Sequence, residues 1–127
     1  MIRKISLMTI VVLAFAAMLY AQGDKSVKIS GYLIDNACAE SSKDIATRAK
    51  NHSTTCALMD SCEKSGYAVY AEDSKLYKLD DKGNDSAADL LKNTKTKKGL
   101  KVAVEGTIDG DTIKVSKLME VTEAVVN

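Results

Sequence analysis

"LKVAVEGTIDGDTIKVSKLMEV", residues 100–121, decides the fold. Leu100, Val102, Val104, Gly106 and Ile108 fall on one side of an extended chain, and Lys101, Glu105 and Thr107 on the other. Ile113 and Val115 continue the inward set beyond "DGD" (109–111). Alternation with a period of two marks a half-buried strand, and Asp-Gly between two such runs marks a hairpin. The segment therefore reads as two antiparallel strands.

The rest of the chain is organised around that hairpin. "SVKISGYLID" (26–35) alternates in the same way, with Val27, Ile29, Gly31 and Leu33 on one face and Gly31 as a bulge or bend. "YAVYAEDSKLYKLD" (67–80) reads as a second hairpin, its turn at Glu72 to Ser74. "DSAADLLKNTK" (85–95) reads as a short helix. Asp85 or Ser86 caps it, Leu90 and Leu91 anchor it, and Lys92 and Lys95 complement the negative end of its dipole. Residues 36–66 interrupt the β pattern with helical pieces. Ile45 and Ala49 share one helix face, and Asp44 and Arg48 stand four apart, at ion-pair spacing. A second helix is expected over Thr54–Lys64, capped by Ser53 or Thr54 and stopped by a left-handed Gly66. Pro is absent, so Gly, Asn and Asp punctuate the chain.

The order is strand, helical insertion, strand, strand, helix, strand, strand. It predicts a mainly β chain with short helices (α+β): a small five-stranded OB-like barrel with a helical, Cys-containing insertion after the first strand. Gly31 and Gly106 would supply the bends that such a barrel needs. The alternative is a five-stranded open sheet with helices on one face.

Residues 1–21 read as a signal peptide. Arg3 and Lys4 precede an apolar run from Ile5 to Leu19, broken only by Ser6 and Thr9, and Ala21 suits the position before the cut. The run is shorter than the ~20 residues that span a bilayer. Residues 22–127 then form one domain, periplasmic or extracellular, with no membrane association after cleavage. The 18 basic residues less Arg3 and Lys4 leave 16 against 17 acidic, a net charge near −1. Such a balance gives no general attraction for nucleic acid or anionic lipid. The local run "KNTKTKKG" (92–99) reads as a solvated helix end and loop. The expected partners are a protein or a small ligand.

The chemistry concentrates in "NHSTTCALMDSCEKSGY" (51–67), which holds the chain's one His and two of its three Cys. On a continuous helix at ~100° per residue, Cys56 lies about 40° from His52 and Met59 about 20° from it on the other side. Imidazole, thiol and thioether would share a face, a set suited to Cu(I), while His with Cys suits zinc. Cys62 would stand roughly 120° from Cys56 and about 9 Å along the axis, too far for a disulfide between them. Cys38 is the expected disulfide partner for one of the two. That bridge closes a loop of about 18 or 24 residues and stabilises by roughly 3 kcal/mol in the chain-entropy model. Two readings stand: a metal site drawn from His52, Cys38, Cys56, Cys62 and Met59, or a disulfide-stapled structural or interaction domain without metal. Exported Cys residues usually staple small domains.

A thiol enzyme built on Cys56 and His52 is a remote third reading, because the sequence offers neither an orienting group nor an oxyanion hole. The spacing H-x3-C-x5-C fits no standard zinc pattern, and neither C-x-x-C nor C-x-x-C-H occurs. Asp109 and Asp111 lack the further oxygen ligands of a calcium loop. The chain thus reads as a non-enzymatic binding domain. Tyr32, Tyr70 and Tyr77 come from the first three strands, whose face binds ligands in many OB folds, and form a candidate ligand face.

"GYLIDNAC", "HSTTCALMDSCEKSGYAVY", "KLYKLDDKGN" and "LKVAVEGTIDGDTIKV" together resemble a group of small exported bacterial OB-fold-like proteins of unassigned function. Their pattern is Asp-x-x-Cys, then His-x3-Cys-x5-Cys, then Gly. The resemblance covers essentially all of residues 22–127. Residue by residue it carries over Asp35, Cys38, His52, Cys56, Cys62 and Gly66, and it implies that His52 and the three Cys belong to one constellation.

Overall fold

β1 (Val27–Asp35) is the strand on which the fold is built, because it pairs on both of its edges. The computed structural model describes residues 26–122, so the expected signal peptide and its cut after Ala21 lie outside the described residues. β2 (Tyr67–Ala71) and β4 (Lys101–Asp109) flank β1, both antiparallel to it. β3 (Leu76–Leu79) continues antiparallel from β2, and β5 (Thr112–Glu120) continues antiparallel from β4. β3 and β5 meet in parallel through Lys78↔Thr112 and Leu79↔Ile113. The pairings therefore run in a closed cycle, β1-β2-β3-β5-β4 and back to β1. This is a mixed α+β architecture of five strands and short helices. Among the described residues, no helix is long and apolar enough to cross a membrane.

Alternation sorts the strand residues into two apolar layers. Leu33, Val69, Tyr77, Leu79, Val102, Val104, Ile113 and Val115 pack together inside the cycle. Ile34 and Ala68 point the other way and are fully buried beneath the helical insertion. The end of β1 is thus buried on both faces. Each fully buried aliphatic side chain there contributes about 1.5–3 kcal/mol from area removed from water. Val27 and Ile29 pack against the inner layer with Leu33, as their spacing predicts. Ile108 does not follow the pattern. It is 38% exposed, because it lies near the hairpin end, past a register shift at Glu105/Gly106.

Two glycines allow the strands to approach. A Cβ on Gly31 would stand 2.1 Å from the Tyr70 carbonyl oxygen, and one on Gly106 would stand 2.1 Å from that of Lys114. Both sit where the expected bends were placed.

Residues 36–65 form four short helices: α1 (Asn36–Ser41), α2 (Ile45–Lys50), α3 (Thr54–Ala57) and α4 (Asp60–Ser65). The single helix expected over Thr54–Lys64 does not form. Met59 is extended (φ −62°, ψ 142°) and breaks it into α3 and α4. The reason is tertiary. Leu58 and Cys62, four apart, would share one face of a continuous helix. Instead Ala57 and Leu58 pack against the inner layer, while Cys62 enters the outer one. One straight axis cannot serve both layers.

α5 (Asp81–Asn93) lies between β3 and β4 and begins four residues before the expected Asp85. Asp80 is its N-cap, accepting from the backbone N–H of Gly83 at 3.0 Å and also from that of Val115 at 3.2 Å. Asn84 Oδ1 accepts from the Tyr67 N–H at 2.8 Å. These contacts hold a first turn whose residues have poor helix propensity. The basic run after α5 serves as a dock. Thr94 and Thr96 donate to Glu120, and the backbone of Lys97, Lys98 and Gly99 receives the insertion.

Replacing Gly31 with Ala should lower stability by about 1–3 kcal/mol, since the methyl meets backbone rather than a flexible side chain. Urea unfolding checks this, and an unchanged midpoint would contradict the close approach described.

Candidate functional site

Asp35 ends β1 and begins the helical insertion, and both of its carboxylate oxygens are used. Oδ1 accepts from the Cys38 backbone N–H at 2.8 Å, making Asp35 the N-cap of α1. Oδ2 meets His52 Nε2 at 2.7 Å. Asp35 is 0% exposed and His52 5%. Burying a carboxylate is costly unless it is paired and hydrogen-bonded, and here it is both. Burial pushes the Asp35 carboxyl upward, but the His52 contact and the Cys38 N–H outweigh it and hold it below its ordinary value.

The insertion is shaped to deliver His52 to that carboxylate. Asp44 caps α2 by accepting from Thr47 N–H and Thr47 Oγ1. α2 ends at Lys50, and His52 follows in the extended link to α3. The His52 carbonyl accepts from the Gly99 N–H at 2.9 Å, and the Lys97 carbonyl accepts from the Thr54 N–H at 3.0 Å. Ser53 caps α3 by accepting from the Cys56 N–H at 3.0 Å. The Tyr67 hydroxyl, inside the fold, donates to the Ala57 carbonyl at 2.8 Å. His52 and Cys56 are therefore fixed through the backbone on each side.

Cys38, His52 and Cys56 converge, each offering a donor atom within 4.8 Å of the other two. Asp35, Cys38 and Cys62 form a second group under the same limit. Cys38 belongs to both. Cys38 and Cys62 are buried, Cys56 is partly exposed, and none of the three is in a disulfide. Burial pushes the Cys38 thiol up to about 11, against the opposing hydrogen bond from Arg48. Burial first, and the Asp35 charge second, raise Cys62 as well. Arg48 Nη2 reaches Cys38 Sγ at 3.5 Å, so the ion pair expected between Asp44 and Arg48 gives way to a cap and a sulfur contact.

The expected residues divide. His52, Cys38 and Cys56 come together, and Cys62 groups with Cys38 and Asp35. Met59 is 56% exposed at the break between α3 and α4, so the shared helix face that linked it to His52 and Cys56 does not exist. The aromatic face also divides. Tyr32 and Tyr70 are cross-strand partners and line a cavity of about 280 Å³ with Lys50 and Lys101. Tyr77 belongs to the inner layer, and its hydroxyl donates to Asp73 Oδ2 at 2.6 Å. The orienting group that spacing alone did not reveal is Asp35. Its signal was Asp-x-x-Cys at a strand end, where an Asp N-cap accepts from the third residue on. Compared with protein-family models, with curated proteins and with solved structures, the chain has no match.

Tyr67 links this site to the strands, and burial raises its hydroxyl to about 12. An unfolded Tyr titrates near 10. A raised folded value means stability that is complete below about pH 10 and lost as pH rises through about 12. Tyr67→Phe should cost about 1 kcal/mol at neutral pH through the lost hydrogen bond and should flatten that alkaline decline. Urea midpoints at neutral pH and above pH 10 test both; a decline equally steep in the variant would contradict it.

Proposed function

We propose that this is an exported OB-type barrel domain whose helical insertion holds one soft transition metal ion, zinc or Cu(I), through Cys38, His52 and Cys56. The observation that carries the reading is the convergence of those three donors within 4.8 Å, with His52 Nε2 already taken by the buried Asp35. A metal-bound His ordinarily gives its other ring nitrogen to a carboxylate, which fixes the tautomer and the ring orientation. Asp35 is in that position, and with both oxygens engaged it serves behind His52 rather than as a ligand. With Nε2 on Asp35, an ion would take His52 Nδ1. Donor atoms around a tetrahedral zinc lie about 3.5–3.8 Å apart at the usual bond lengths, inside the 4.8 Å limit under which the three residues group. The partly exposed Cys56 gives the ion its way in. Arg48 at the Cys38 sulfur offsets thiolate charge.

The export and OB assignments rest on the residues 1–21 pattern and on the strand cycle with a helix between its third and fourth strands. They are consistent with the resemblance to small exported bacterial proteins. A non-enzymatic binding role is part of the same proposal. The physiological partner would be a protein or a small ligand. The competing reading is a disulfide-stapled domain without metal, favoured by one observation: Cys38 lies near both other thiols.

Native mass spectrometry of periplasmically produced protein, with a free-thiol count, separates the two. The metal reading expects one ion per chain and three reduced Cys. Cys38→Ser, His52→Ala and Cys56→Ser should each abolish retention, Asp35→Asn should weaken affinity about 10–100-fold, and Cys62→Ser should retain the ion. A metal-free mass with one disulfide and one thiol, in a protein that still takes up no ion once its three Cys are reduced, would sink it.

A further inference from the structure

Cys38 is the one residue shared by both donor groups, and the three thiols differ in how solvent reaches them. Cys38 and Cys62 are 9% and 8% exposed, while Cys56 is only partly buried. A small disulfide arriving from solvent therefore meets Cys56 first. The sulfur placed to resolve an adduct there is Cys38, in the same group with His52. Cys62 belongs to the other group, with Asp35 and Cys38. Cys56 packs against the outer layer, which holds both Cys38 and Cys62, and Arg48 lies at the Cys38 sulfur.

We infer that Cys38 and Cys56 form a dithiol–disulfide couple that exchanges with small-molecule disulfides, and that its oxidation empties the metal site. The regulatory half of this inference rests on the metal reading above; the pairing does not. With oxidised glutathione as the oxidant, the steps balance. The Cys56 sulfur attacks one glutathione sulfur, the glutathione S–S bond breaks, and a Cys56–glutathione disulfide forms. The departing glutathione thiolate takes up the proton that Cys56 gave up. Cys38 Sγ then attacks Cys56 Sγ, forming the Cys38–Cys56 bond and releasing the second glutathione, which carries the Cys38 proton. Two protein thiols are oxidised and one disulfide is reduced to two thiols. The two sulfurs close from within 4.8 Å to about 2 Å. Two of the three proposed ligands are then consumed, and a lone His52 cannot hold the ion.

The test treats the zinc-loaded protein with oxidised glutathione and maps its links without reduction. Trypsin leaves Cys56 and Cys62 in one peptide, so a second protease cutting before Asp60 is needed to separate them. The expected result is a Cys38–Cys56 link, a free Cys62, and one zinc released for every two thiols lost. Cys62→Ser should behave the same, and Cys56→Ser should form no Cys38 link. A Cys38–Cys62 or Cys56–Cys62 link, a glutathione adduct that persists on Cys56, or zinc retained by the linked protein would each overturn the inference. If reduced protein takes up no zinc yet gives the Cys38–Cys56 link, the metal reading fails and the couple stands.

Discussion

The buried contact between Asp35 and His52 organises the molecule. It joins the last residue of β1 to the middle of a thirty-residue insertion, at 2.7 Å and out of water. A carboxylate in that position is tolerable only because both oxygens are engaged, one by the ring and one by the first turn of α1. The same contact sets where α1 starts, and so where Cys38 lies. It also sets where the chain passes between α2 and α3, and so where Cys56 lies. Geometry at the site thus follows from one residue that the strand register places.

The two apolar layers explain why the insertion is broken into four pieces rather than two. The inner layer needs Ala57 and Leu58, and the outer layer needs Cys38, Ala49 and Cys62. α3 and α4 are each about one turn or a little more, and isolated helices of that length are not stable in water. Caps and packing hold them: Ser53 for α3, Asp60 and Glu63 near the start of α4, and Gly66 (φ +80°) closing it. The cost of such irregular backbone is typical of segments that place functional side chains.

What could be read in the sequence follows from which forces are local. The strands of 26–35, 67–80 and 100–121 were legible because alternation and turn chemistry act over a few residues. The helix break at Met59 was not, since it depends on two layers that exist only in the folded chain. Angular arithmetic along one axis therefore gave His52 and Cys56 a neighbour, Met59, that the fold turns outward. α5 began early for a similar reason: Asp80 is held by Val115, thirty-five positions on. Tyr77 was grouped with Tyr32 and Tyr70 because its strand was legible and its facing was not. Convergence of Cys38 with His52 and Cys56 was implied by the resemblance alone, but the carboxylate behind His52 required the structure.

The central claim is a centre with two sulfurs and one imidazole, backed by a carboxylate. X-ray absorption at the zinc edge of the zinc-loaded protein measures that shell directly. The account predicts two sulfur scatterers at about 2.3 Å and one imidazole nitrogen at about 2.0 Å, with any further position filled by a light atom. A shell of oxygen and nitrogen alone, or one of three sulfurs without imidazole, would contradict it.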